Sequence, residues 1–142
     1  MADIKKIVRE WVVDYLKHRD LVQGKIEQIK EEENAVIVKY VDKESSFLII
    51  PKIEDINVIL NNDKEKHLNI VVLNTKENFN IMVRNWNKLK DYKNLKIMFV
   101  NPNSPLEKKW IISPYFHSKI CDDSSLKQGL KSMFETVEEF KQ

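Results

Sequence analysis

The amino-acid sequence predicts one α/β domain over residues 1–142, in which helices flank a mixed sheet. A chain of 142 residues has the length of one ordinary domain. Apolar residues make up 42% and charged residues 32%, a balance typical of globular proteins. Amphipathic helical patterns and short β-branched runs follow one another in the order α-β-β-β-(α)-β-α-β-β-α, which predicts the fold class.

The first element is a helix over 3–18. Ile4, Ile7, Val8 and Trp11 fall at the spacing of a single apolar stripe along a helix. Asp3 precedes the stripe and is a suitable N-cap, because its carboxylate accepts a hydrogen bond from a free backbone N–H. This stripe has to pack against a sheet or another helix.

Three short strands follow, over 23–30, 35–41 and 46–50, the last two rich in β-branched and other apolar residues. The connections between them are only a few polar residues long, which favours antiparallel hairpins. The run at 46–50 is apolar at four consecutive positions, so it is either a central strand, which we favour, or an edge strand covered by a partner.

The second half of the chain predicts a βαβ unit. A buried strand at 68–74, an amphipathic helix at 76–91 and a strand at 95–100 form this unit, which places the two strands parallel. Segment 52–62 fits either a short helix or a strand. Another strand starts at 110–112, and a last helix covers 125–140, with Ser125 and Gln128 as a capping box.

Several classes of protein are excluded or disfavoured by composition. The chain has only two glycines, too few for a dinucleotide-binding fingerprint or a P-loop. Its single cysteine excludes an internal disulfide and a multi-cysteine zinc module. The N-terminus lacks a signal-peptide pattern, and no apolar run reaches the length of a membrane span. We therefore expect a cytoplasmic protein with no membrane partner.

The formal net charge of +2 is too small to indicate a class of binding partner, but the charged residues are distributed unevenly along the chain. Segment 76–110 holds eight basic and three acidic residues, an excess that attracts phosphates. The basic candidates for contacts with DNA or RNA are Lys76, Arg84, Lys88, Lys108 and Lys109. A solvated lysine-rich surface with no ligand is the alternative, and Trp86 and Trp110 are expected in the core.

One short motif resembles a known family. The strand end Leu73-Asn74-Thr75-Lys76 precedes a helix, as does the E-x-K motif of the restriction-endonuclease-like superfamily, also called PD-(D/E)XK. The resemblance places Lys76 at the family's lysine and Asn74 at its acid, with Asp55 or Asp63 as the upstream aspartate. In that family, carboxylates hold a divalent cation and the lysine helps to activate water.

Asn74 departs from this pattern, because an amide is a poorer ligand for a hard cation than a carboxylate. We therefore expect no catalytic residues, no metal and no cofactor in this chain, and an inactive nuclease fold. A purely structural interpretation of Asn74 also stays open, since Asn74 and Glu77 have the spacing of a helix N-cap and its third residue.

Segment 114–123 concentrates His117, Cys121 and two acids between a strand and a helix. A metal site or a cysteine–histidine pair would need further partners. The simpler interpretation is a loop in which Asp122 and Asp123 face the positive end of a helix.

The resulting functional prediction is a non-enzymatic domain that binds nucleic acid or a nucleic-acid-processing partner. The alternative is an adaptor, subunit or homodimer with no nucleic-acid role. An enzyme whose residues converge from distant loops also stays open.

Overall fold

The computed structural model describes residues 3–106, 108–120 and 122–141, in which six strands and six helices form an α/β fold. The strands are β1 (Ile26–Glu31), β2 (Ala35–Tyr40), β3 (Glu44–Ile49), β4 (Leu68–Leu73), β5 (Leu95–Val100) and β6 (Lys109–Ile112). The helices are α1 (Ile4–Gln23), α2 (Asn57–Leu60), α3 (Lys76–Arg84), α4 (Trp86–Leu89), α5 (Pro114–Ile120) and α6 (Asp123–Phe134).

The six strands form one mixed sheet in sequential order, β1-β2-β3-β4-β5-β6. The first three strands pair antiparallel, as their short connections predict. β3, β4 and β5 are parallel, and β6 returns antiparallel to β5. The predicted βαβ unit and the central position of the run at 46–50 are both confirmed.

The sheet separates two apolar clusters, because successive side chains of a strand point to opposite faces. Val71 and Leu73 of β4 pack on the face covered by α1, which we call the α1 face. Ile70 and Val72 pack on the opposite face. That opposite face carries Ile59 from α2, Met82 from α3, Leu89 from α4 and Leu130 from α6. The helices therefore lie on both sides of the sheet, as expected.

The first helix is longer than predicted and ends in a tight turn. α1 continues to Gln23, and Gly24 adopts φ 58°, a left-handed conformation in which its N–H donates to the Asp20 carbonyl. Glycine favours this C-terminal position because it carries no Cβ. Because α1 extends to Gln23, the strand predicted over 23–30 begins later, at Ile26, and this strand is β1.

The helix predicted over 76–91 is two helices. Asn85 interrupts it with φ −104° and ψ 13°, and its Nδ2 donates to the Ile81 carbonyl at 2.7 Å. The open segment 52–62 contains the four-residue helix α2. Segment 114–120, which was predicted to belong to a loop, is the helix α5, so that part of the prediction is wrong.

The last helix is also shorter than the predicted 125–140, since α6 ends at Phe134. Its N-cap is Asp122, whose carboxylate accepts from the Ser125 N–H at 2.9 Å, so the predicted Ser125–Gln128 capping box is wrong. The chain then turns, and Val137 and Phe140 reach opposite faces of the sheet. Trp86 and Trp110 lie in the core as predicted, 7% and 5% exposed.

Candidate functional site

Asn74, the residue at the position of the family's acid, is completely buried at the end of β4. Its Nδ2 donates to the carbonyls of Val137 at 2.9 Å and Glu138 at 3.2 Å. Its Oδ1 accepts from Trp110 Nε1 at 2.8 Å. The amide is therefore engaged at both ends, and it holds the C-terminal segment against the sheet.

The alternative interpretation of Asn74 as a helix cap is wrong. The N-cap of α3 is Thr75, whose hydroxyl accepts from the Asn78 N–H at 3.2 Å. Lys76 is exposed, and its backbone N–H donates to Glu139 Oε2 at 2.9 Å. A carboxylate of the protein itself thus faces the positive end of α3.

The two candidate upstream acids are both exposed and lie in local turns. Asp55 accepts from the Asn57 N–H at 2.9 Å, and Asp63 accepts from the Glu65 N–H at 2.8 Å. Within residues 3–106, 108–120 and 122–141, no group of three or more His, Cys, Asp or Glu side chains is placed to hold a metal ion. The described residues thus place no carboxylate cluster around the motif.

The carboxyl ends of the parallel strands, where open α/β sheets commonly bind ligands, are covered by the chain itself. Asn101 follows β5, and its Nδ2 donates to the Glu138 carbonyl at 3.0 Å. The Phe140 N–H donates to the Asn74 carbonyl at 2.8 Å. Segment 135–141 therefore covers the carboxyl ends of β4 and β5, next to Asn74.

The basic residues predicted to bind nucleic acid do not form one surface. Lys76 begins α3 and Arg84 ends it, so about 12 Å of helix separates them. Lys88 lies on α4, on the same side of the sheet. Lys109 Nζ lies over the Tyr15 ring of α1, on the other side. Lys108 Nζ donates to the Pro102 carbonyl.

The 114–123 segment is only partly described. Cys121 and the side chain of Asp123 lie outside the described residues. His117 is half-buried in α5. The Ser125 hydroxyl and N–H and the Ser124 hydroxyl hydrogen-bond Asp122 and lower the pKa of its carboxyl group. This matches the predicted role of Asp122 at a helix N-terminus.

A polar pocket of about 360 Å³ lies on the α1 face, at the opposite end of the sheet from Asn74. We call it the cationic pocket, and it is lined by Arg19, Lys43 and Lys96 together with Tyr40, Ser45 and Asn69. Leu16 and Phe47 close its inner wall and belong to the core cluster beneath α1. The last turns of α1 and the β2–β3 turn form its rim.

The floor of the cationic pocket is a row of polar side chains from adjacent strands. Ser45, Asn69 and Lys96 occupy β3, β4 and β5 at positions that face α1, by the alternation that directs Phe47, Val71 and Met98 to that face. Asn69 and Lys96 are direct register partners. Each strand is thus apolar beneath α1 and polar where the pocket begins.

The charges in the cationic pocket are predominantly positive. Desolvation of the ammonium group lowers the pKa of Lys96, and the nearby charges of Arg19 and Lys43 lower it further. Burial raises the pKa of Tyr40, an effect that Arg19 partly offsets. Both groups are partly desolvated, and the shift of Lys96 also reflects the neighbouring positive charges.

The acids of the pocket do not neutralise its cations. Asp20 Oδ1 accepts from the backbone N–H groups of Lys25 at 2.7 Å and Ile26 at 3.1 Å, and so forms part of the turn after α1. Asp42 is the other carboxylate of the lining. Four cations, including Lys25, against these two carboxylates leave a formal net charge of +2 around the pocket.

Comparisons of the chain with protein-family models, with curated proteins and with solved structures gave no significant match. The resemblance to restriction-endonuclease-like proteins therefore stays a prediction. No helix in the described part of the chain combines the length and apolar character needed to cross a membrane.

Sequence reasoning missed most of the cationic pocket. Lys96 was counted in the basic segment, but Arg19 and Lys43 lie far outside it in sequence. One available signal was a polar residue near the start of two otherwise apolar strands, namely Asn69 and Lys96. That these two residues share a pocket with Ser45 depends on strand pairing, which a single sequence does not show.

Proposed function

We propose that this chain is a non-enzymatic nucleic-acid-binding domain that contacts phosphate through the cationic pocket. The observation that carries the proposal is the convergence of Arg19, Lys43 and Lys96 on one pocket with a net positive lining. Phosphate groups are the anionic component of nucleic acids, and basic side chains that neutralise them supply most non-specific affinity.

The absence of catalysis is part of the proposal. Asn74 uses its amide to hold the C-terminal segment, and Asp55 and Asp63 lie in exposed turns. The relationship to restriction-endonuclease-like proteins and the cytoplasmic location belong to the same proposal. The order of a helix, three antiparallel strands and a strand–helix–strand unit supports that relationship.

The test is fluorescence anisotropy with labelled single-stranded and double-stranded DNA and RNA, at about 50 and 200 mM salt. The double variant Arg19→Gln/Lys96→Met is expected to weaken binding at least about tenfold, because it removes two charged contacts. For a single strand the slope of log affinity against log salt should fall by about 1.4 in magnitude.

The matched control is Arg84→Gln/Lys88→Gln, which removes the same formal charge from α3 and α4. It should change affinity less than about twofold. If the control variant loses binding and the pocket variant retains it, the basic residues of α3 and α4 form the site and the pocket does not. If the wild-type chain binds none of the nucleic acids at low salt, the proposed function is wrong.

A protein-adaptor role is the second candidate, and one observation favours it. Leu21 and Val22 in the last turn of α1 and Val41 after β2 are 80%, 93% and 68% exposed. They lie on the two segments that form the rim of the pocket. Light scattering coupled to size exclusion tests for a homodimer, which Leu21→Ser/Val22→Ser should dissociate. Retention of a monomeric state at all concentrations would contradict self-association.

A further inference from the structure

We infer that the group held by the cationic pocket is a phosphate monoester, such as the phosphorylated end of a single strand, rather than an internal phosphodiester. This inference rests on the proposed function and specifies its ligand. Three features of the pocket support it: the arrangement of its cations, its net charge, and its neutral hydrogen-bonding groups and size.

The cations converge from three separate parts of the fold. Arg19 comes from α1, Lys43 from the β2–β3 turn and Lys96 from β5, and all three line the same cavity. A protein that follows a nucleic-acid backbone carries its basic groups along a groove or stripe. Cations gathered around one cavity are suited to a single, highly charged group.

The charge of the lining matches that of a monoester. A phosphate monoester carries a charge of about −1.5 to −2 at neutral pH, whereas an internal phosphodiester carries one negative charge. The four cations and two carboxylates of the lining leave +2. Desolvation lowers the pKa of Lys96, and the charges of Arg19 and Lys43 lower it further. A dianion relieves more of the repulsion among these three cations than a monoanion does.

The neutral groups of the floor complement this charge. Ser45 is only 6% exposed, and it contributes a hydroxyl-bearing side chain to the lining. Asn69 lies beside Lys96 in register, and its Nδ2 donates a hydrogen bond of 3.3 Å to the Ser46 carbonyl. A volume of about 360 Å³ is at the small end of ligand sites. It accommodates one nucleotide-sized group.

The experiment compares one single strand of about eight nucleotides with a 5′-phosphate, with a 3′-phosphate and with hydroxyls at both ends. A hydroxyl-terminated strand two nucleotides longer, which carries two additional negative charges, serves as the control for total charge. We expect a terminally phosphorylated strand to bind about tenfold more tightly than both hydroxyl-terminated strands. Arg19→Gln/Lys96→Met should abolish this difference, and Arg84→Gln/Lys88→Gln should preserve it.

Equal, salt-dependent affinities for all strands would overturn the monoester inference and leave the proposed function in place. Competition with adenosine monophosphate and with adenosine distinguishes a strand end from a free nucleotide. If the monophosphate alone binds as tightly as the phosphorylated strand, the monoester inference holds and the nucleic-acid function is wrong. If no strand, monophosphate or inorganic phosphate binds, both proposals fail.

Discussion

Trp110 Nε1 donates a hydrogen bond of 2.8 Å to Asn74 Oδ1, and this bond ties β6 to the end of β4 inside the core. The Trp110 ring also stacks on Phe99, with ring centroids 4.3 Å apart. Through its Nδ2, the same Asn74 amide holds the carbonyls of Val137 and Glu138. A single side chain therefore connects the sheet with the C-terminal segment.

Replacing Asn74 by alanine should lower the free energy of unfolding by about 3 kcal/mol, because the change leaves buried donors and acceptors without partners. Urea denaturation followed by far-UV circular dichroism measures the loss. Asn80→Ala, on the exposed side of α3, is the matched control and should shift stability by less than about 0.5 kcal/mol. A loss of similar size in both variants would contradict the structural role of Asn74.

Asn74→Asp restores the acid of the resembled motif and tests whether a metal site is latent there. The carboxylate would face the carbonyl oxygens that now accept from Nδ2, so we expect it to destabilise the fold at least as much as alanine does. Magnesium or manganese should neither raise the melting temperature of this variant nor elicit cleavage of DNA. Metal-dependent stabilisation would indicate a functional relic of the nuclease site.

Replacing each of the two glycines of the chain by alanine should change the free energy of unfolding in opposite directions. Gly24→Ala should lower the free energy of unfolding by about 1 kcal/mol, because the φ of 58° at this position lies in the left-handed region. Gly129→Ala should stabilise by a similar amount, about 1 kcal/mol, since Gly129 lies inside α6 and an added Cβ meets no atom within 4 Å. Urea midpoints of the two variants provide the comparison, and a change of the same sign in both would refute it.

Lys96 should titrate below its ordinary pKa of about 10.5, and Arg19→Gln should move the pKa upward. The pKa of Lys96 is lower in the folded than in the unfolded chain. At any pH below the folded pKa, the charged lysine therefore lowers the free energy of unfolding. This loss of stability disappears as the pH rises past the unfolded pKa. Lys96→Met should therefore be more stable than the wild type at pH 7, by an amount that diminishes at high pH. Nuclear magnetic resonance titration of the lysine side chains measures the pKa, and an unchanged value in Arg19→Gln would show that the two charges do not interact.

Local patterns in the sequence were sufficient for the order of most elements. The connections around 31–34 and 42–45 are too short for a parallel crossover, so antiparallel pairing of the first three strands followed directly. The apolar run at 46–50 indicated a strand buried on both faces, and β3 is central. Helix ends were less predictable, since Asn85 divides the predicted helix 76–91 through a bond of its own side chain.

The role of Asn74 illustrates what local patterns leave undetermined. Both Asn74 and Thr75 are residues that commonly cap helices. In the structure Thr75 is the cap, because the Asn74 side chain instead donates to the Val137 carbonyl, 63 residues further along the chain. No pattern near residue 74 contains that information.

The sequence by itself determined the fold class, the hairpins, the parallel strand pair and the burial of Trp86 and Trp110, because each depends on periodicity and connection length. Only the tertiary structure decided where charge accumulates. Arg19, Lys43 and Lys96 are distant in sequence, and they meet because the sheet register aligns the floor of the pocket beneath the end of α1. A pocket formed by side chains from separate elements exists only once those elements are packed.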